Sequence, residues 1–186
     1  MAEKIYIKQP GQPGIPVTVR IEWLSNGKIK PCLYWTPDGS CYEIRRVYET
    51  VSLALLKNRS EGLRFKVKAI ATDCQYIQHE IYLYLADNLF CGRNIIDDRY
   101  GHECKEFITV TLDVFSNCKY ELIDFEVHKT KYVVEKTLAI EPRASVRAGG
   151  IGIRHKIEAR QLDSDNERTA ALYFEINKWF VRVKTA

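Results

Sequence analysis

No stretch of this 186-residue chain approaches the ~18 consecutive apolar residues of a membrane-spanning helix. Its longest apolar patches, such as Ile81 to Ala86, are strand-sized. The opening MAEKIYIKQPGQPGIPV has no apolar core of the ~7–15 residues that an export signal carries. A cytoplasmic protein is therefore expected, and with it reduced thiols at Cys32, Cys41, Cys74, Cys91, Cys104 and Cys118. No two of these cysteines stand as C-x-x-C, so zinc-ribbon and thioredoxin-like chemistry have no support. His102 and Cys104 share a short stretch, but two ligands fall short of the four a structural zinc needs, and no metal or other cofactor is expected. G-x-S-x-G, H-E-x-x-H and G-x-x-x-x-G-K-[ST] are all missing. His79, His102, His128 and His155 have no nucleophile at motif spacing, so no catalytic residue is named and a non-enzymatic role is expected.

The chain does contain enough apolar residue for a folded core. It is 46% hydrophobic and 28% charged, with a net charge of +4, a globular balance and not a disordered one. Laid on itself at an offset of about ninety residues, it repeats. Val17-Thr18-Val19-Arg20-Ile21-Glu22 matches Ile108-Thr109-Val110-Thr111-Leu112-Asp113, each followed by Ser-Asn. Trp35 falls against Phe125 and Tyr42 against Tyr132. Gly62-Leu63-Arg64-Phe65-Lys66-Val67-Lys68-Ala69 matches Gly152-Ile153-Arg154-His155-Lys156-Ile157-Glu158-Ala159. Leu83-Tyr84-Leu85 matches Leu172-Tyr173-Phe174, and Phe90 matches Trp179. The offset drifts from 91 to 90 to 89, which needs two one-residue gaps. The domains that follow are repeat one at 16–93 and repeat two at 107–186, joined by an acidic linker at 94–106. The proline- and glycine-bearing residues 1–15 form an extended arm.

Val17, Val19, Ile21 and Trp23 alternate with polar residues, the period of a half-buried strand. Asn26-Gly27 predicts a type I′ hairpin turn, and Thr36-Pro37-Asp38-Gly39 a second turn. Strands are expected at Ile29–Trp35, Cys41–Tyr48, Leu63–Ala71 and Ile77–Leu85, with a short sixth at Leu89–Arg93. Val51 to Lys57 could form one or two helical turns at most, or a crossing loop. The second half follows with strands over Ile108–Phe115, Tyr120–Val127, Lys131–Leu138, Gly152–Gln161, Thr169–Ile176 and Trp179–Lys184. Short turns join most of these, so neighbours should pair antiparallel. The expected fold is all-β, two tandem antiparallel meander or barrel units of five to six strands each. The alternative is a β-sandwich with one sheet per repeat.

The run Trp35-x-x-Asp38-Gly39-x-x-Tyr42-x-Ile44-x-Arg46-Val47 belongs to the first half. Ala148-Gly149-Gly150-Ile151-Gly152-Ile153-Arg154-His155 and Trp179-Phe180 belong to the second. Together they resemble a small uncharacterised β-domain of Firmicutes, of which this chain would be a diverged tandem. The resemblance implies a bacterial β fold and carries no activity, cofactor or catalytic residue.

Candidate binding residues come from the repeat. Arg64/Lys66 and Arg154/Lys156 recur at alternate strand positions, which places each pair on one face that cannot be core. Gly149 and Gly150, flanked by Arg147 and Arg154, could offer backbone N–H groups to an anion, although glycines entering a strand need no ligand. Tyr34, Tyr42, Tyr82, Tyr84, Tyr132 and Tyr173 add aromatic surface, the mixture that holds single-stranded nucleic acid. The sequence pI of about 8.7 lies below the pI of ~9 or more of a committed nucleic-acid domain. Cross-strand carboxylates could instead pair with the bases. The expectation is a non-catalytic protein-interaction or scaffold module, with a protein partner or a second copy. Single-stranded nucleic acid or an anion is the alternative ligand, and no membrane is involved.

Overall fold

A computed structural model describes residues 5–9, 13–53, 62–74, 78–86, 103–144, 151–164, 167–175 and 178–184. Among them the chain is all-β and holds no helix. The thirteen strands are β1 (Ile5–Lys8), β2 (Ile15–Pro16), β3 (Thr18–Trp23), β4 (Ile29–Trp35), β5 (Cys41–Leu53), β6 (Gly62–Ala71), β7 (Gln78–Ala86), β8 (Glu103–Val114), β9 (Tyr120–Val127), β10 (Thr130–Ala144), β11 (Ile151–Gln161), β12 (Glu167–Glu175) and β13 (Lys178–Lys184). Every ladder described below is antiparallel, as short turns between successive strands require. Among the described residues no helix is long and apolar enough to cross a membrane.

The chain divides into two compact units. Unit 1 is Met1–Ile21, Pro31–Phe90 and Asp113–Glu121; unit 2 is Glu22–Lys30, Cys91–Leu112 and Leu122–Ala186. These bounds depart from the expected cuts at 16–93 and 107–186, since each unit takes a hairpin tip from the other half of the sequence. The expected linker is cut short too, because β8 begins at Glu103.

In unit 1, β5 pairs with β6, β6 with β7 and β7 with β1. β1 also pairs with β2, and the Val17 N–H donates to the Ile5 carbonyl at 3.3 Å. Residues 5–8 of the expected extended arm are thus a strand with partners on both sides, and Ile5 is fully buried. An isoleucine and an isoleucine two positions on, Ile5 and Ile7, give that strand one apolar face, and burial outweighs the turn signals beside it. The core beneath is Val17, Val19, Ile21, Tyr34, Phe65, Val67, Ala69, Ile81, Leu83 and Leu85, which are alternate residues of their strands.

In unit 2, β10 pairs with β9 and β11, β11 with β12, and β12 with β13. β13 pairs also with β8, from Trp179↔Ile108 to Lys184↔Glu103. The core holds Ile108, Val110, Leu112, Leu122, Phe125, Ile157, Leu172, Phe174 and Trp179, together with His155. Trp23 meets Phe174 edge-on at 5.0 Å.

The registers of the two halves recur. Tyr42↔Ala71 in β5–β6 returns as Tyr132↔Gln161 in β10–β11, and Val51↔Arg64 returns as Glu141↔Arg154, each shifted by ninety residues. The register shifts return as well, at Ile44/Arg46 and Val47/Glu49 in β5 and at Val134/Lys136 and Thr137/Ala139 in β10. The β3–β4 turn and the β8–β9 turn share three hydrogen bonds. Leu24 and Phe115 donate to the Lys28 and Lys119 carbonyls, Gly27 and Cys118 to the Leu24 and Phe115 carbonyls, and Lys28 and Lys119 to the Asn26 and Asn117 side chains. Each is a three-residue loop with its last residue left-handed, Gly27 at φ 83° and Cys118 at 64°, and not the type I′ turn expected at Asn26-Gly27.

Two further expectations are corrected. Phe125 corresponds to Tyr34 and not to Trp35, because Tyr34↔Tyr42 and Phe125↔Tyr132 are the equivalent pairs. The one-residue gap therefore lies in the turn, Pro37-Asp38-Gly39 against His128-Lys129. A gap inside a strand would turn every later side chain to the opposite face. The residues read as a helical start, Val51 to Leu53, continue β5; Ala54 to Lys57 and the expected strand at 89–93 lie outside the described residues.

Candidate functional site

Strict alternation along β6 buries Phe65, Val67, Ala69 and Ala71 and turns Arg64, Lys66 and Lys68 to the outer face. Their neighbours on β7 are set by the ladder: Arg64↔Tyr84, Lys66↔Tyr82 and Lys68↔Glu80. On the other side stands β5, whose two bulges break the period-two pattern and bring Arg46, Tyr48 and Glu49 into reach of the same face. The Arg46 guanidinium lies 5.2 Å from the Tyr48 ring centre, and the Lys66 ammonium 5.9 Å from the same ring. Arg64 sits 5.2 Å over the Tyr82 ring. The Tyr48 hydroxyl donates to the Glu80 carboxylate at 3.2 Å. Tyr48 is 41% exposed, so this aromatic is fixed in place and still open to solvent. Cations over aromatic faces contribute ~0.5–1 kcal/mol at exposed sites, enough to order the rings.

The arginines are not bare. Arg64 Nη2 is 3.6 Å from Glu49 Oε2, and Arg154 Nη1 is 3.5 Å from Glu141 Oε2. Both pairs lie within one unit. The carboxylates come from β5 and β10. In unit 2 the equivalent face is thinner in aromatic groups. Arg154 stands across from Tyr173, but Lys156 faces Ala171 and Glu158 faces Thr169. Arg160 Nε is bonded to Glu135 at 2.9 Å. The arrangement thus brings Arg64 and Lys66 together with tyrosines, and leaves Lys156 exposed beside a methyl group. Arg147, Gly149 and Gly150 lie outside the described residues.

Tyr34 and Tyr132 do not belong to this surface. Tyr34 is core, stacked on Tyr42 at 4.8 Å, and Tyr132 stacks on Phe125 at 5.1 Å. Among the described histidines, His79 meets Tyr42 edge-on, His128 pairs with Glu106 at 2.9 Å, and His155 is buried against Trp179 at 4.9 Å. Cys32, Cys41, Cys74 and Cys118 are thiols and not disulfides. Among the described residues no three His, Cys, Asp or Glu side chains cluster as metal ligands.

Sequence reasoning missed Arg46, Tyr48 and Glu49 as members of the face. The two bulges of β5 break the period-two pattern that would have placed them there. No protein-family model, curated protein or solved structure matches the chain.

Proposed function

We propose that the chain is a tandem of two copies of one small β unit that serves as a non-catalytic protein-interaction module in the cytoplasm of a bacterium, with the outer face of β5, β6 and β7 as its contact surface. The duplication is supported by the ninety-residue recurrence of register and of both bulges, and by a gap that falls in the turn at 37–39 against 128–129. A barrel form for each unit is supported by β13, which pairs with β12 and β8, and by β1, which pairs with β7 and β2.

The single observation that carries the functional reading is Tyr48, held open to solvent by Arg46, Lys66 and Glu80. Tyrosine and arginine are the residue types that dominate protein–protein contacts, and ordering them in advance lowers the entropy lost on binding. A phosphate backbone is the poorer fit, because Glu49 and Glu80 stand among the cations and would repel it. Immobilised wild-type chain should retain a small set of proteins that the Tyr48→Ala chain does not, and single-stranded oligonucleotides should show no salt-dependent mobility shift. A shift lost on raising salt, with no protein retained, would move the reading to nucleic acid.

A further inference from the structure

β6 accompanies β5 along one edge from Tyr42 to Leu53, but the other edge is flanked only at its start. There β4 pairs through Trp35↔Cys41, Tyr34↔Tyr42 and Leu33↔Glu43, and among the described residues no strand continues from Ile44. β10 repeats the arrangement: β9 pairs with it from Thr130 to Val133, and the edge is open from Val134. Every residue from Arg45 to Thr50 is exposed, without the in-and-out alternation of a covered strand. An unpaired edge offers a row of backbone N–H and C=O groups to another strand, so folded proteins guard it with bulges, charges or proline. Both edges have the same two bulges, with Arg45 and Tyr48 as the extra residues in β5 and Glu135 and Leu138 in β10. Only β10 adds a proline, Pro142, a residue that edge strands carry with its nitrogen on the open side. Ninety residues earlier stands Ser52, which keeps its N–H.

We infer that the open edge of β5 pairs antiparallel with the same edge of a second copy of this chain, about a twofold axis at Val47. This rests on the protein-interaction reading and names the partner. In that register the edge is complementary to itself. Arg45 meets Glu49 of the second copy, Arg46 meets Tyr48, Ile44 meets Thr50 and Val47 meets Val47. Opposite charges and cation–aromatic pairs across strands both favour pairing, and twofold symmetry makes each unlike pair twice. Registers centred on Arg45, Arg46 or Glu49 set like charges against each other instead. The ladder ends at Ile44, because β4 occupies the edge beyond it. Both charges are within reach of a second copy: the side chains of Arg45 and Glu49 are 54% and 50% exposed. β10 lacks this match. The equivalent register, about Thr137, leaves Glu135 opposite Ala139. Registers that set Glu135 against Arg143, or Lys136 against Glu141, bring Pro142 into the ladder.

Sedimentation of the full chain from micromolar to millimolar concentration should show a monomer–dimer equilibrium. Arg45→Glu and Glu49→Arg should each weaken the dimer by roughly tenfold, because symmetry sets each like-charge pair twice. Combining the two substitutions should restore it, which damage to the fold would not do. Amide exchange at residues 44–50 should slow as concentration rises, while residues 134–140 exchange as before. A chain that stays monomeric at millimolar concentration overturns the inference. So does a dimer that both single variants leave intact, or one that the combined variant fails to restore. A monomer alongside Tyr48-dependent capture of other proteins would leave the interaction reading standing and remove only the self-pairing; a monomer with no capture would remove both.

Discussion

Tyr34 lies face to face with Tyr42, ring centres 4.8 Å apart and planes 9° from parallel, and Phe125 lies on Tyr132 in the same way at 5.1 Å and 12°. Unit 2 thus builds this stack without the hydroxyl. Tyr34→Phe should change stability by less than about 1 kcal/mol, as volume-conserving core swaps do. Tyr34→Ala should cost ~3–5 kcal/mol through the lost ring and the cavity left behind. Urea unfolding measures both. Burial also raises the Tyr34 phenol well above its usual range. Its neutral form is favoured by folding, so stability is full below the ordinary pKa of ~10 and is lost as pH rises beyond it. Tyr34→Phe should lessen that alkaline loss.

His155 takes the core place that Phe65 has in unit 1, and burial lowers its imidazole to about 4. The unfolded imidazole titrates near ~6.5, so between these values the unfolded chain binds the extra proton. The stabilisation is complete above pH ~6.5 and disappears as pH falls toward 4, by about 3 kcal/mol at the bottom of that window. His155→Phe should keep the fold and flatten this part of the stability–pH curve. An unchanged slope would mean that other groups govern acid unfolding.

Ile5 is fully buried on a four-residue strand that pairs with both β7 and β2. Ile5→Ala should therefore cost ~2–5 kcal/mol, the loss for a core isoleucine. A loose arm would lose almost nothing. Thermal or urea melts of the variant decide the matter.

Much of this architecture was legible from residue pattern, and the parts that were not have physical causes. Phe65, Val67 and Ala69 alternate without interruption, so β6 and its counterpart in the repeat, β11, could be read directly, and with them the recurring arginines. β5 and β10 carry two bulges each, and every bulge breaks the period-two signal by one residue. Their far halves, Arg46 to Glu49 among them, therefore dropped out of the expected site. β1 is short and has meaning only against β7, a partner more than seventy residues away. The glutamates of the arginine contacts could not be chosen from sequence, because cross-strand reach decides between Glu49 and a direct neighbour, and reach is set by register.

Cys118 holds at φ 64° the turn position where the first half of the sequence has Gly27. A left-handed residue with a Cβ is strained by ~1–2 kcal/mol. Glycine returns part of that through greater freedom of the unfolded chain, ~0.4–1 kcal/mol. Cys118→Gly should be net stabilising by a few tenths to about 1 kcal/mol, read as a higher urea midpoint at unchanged slope.

The central claim is that the face around Tyr48 binds protein. Its most direct test is a photoreactive benzoylphenylalanine installed at position 48 and irradiated in living bacteria that express the chain. Leu162, exposed in the β11–β12 turn of unit 2, carries the same probe as the control. The account predicts one or a few protein adducts from position 48 that position 162 does not give, and their weakening when Arg46 and Lys66 are replaced by alanine. Identical adducts from both positions, or adducts to nucleic acid from position 48, would contradict it.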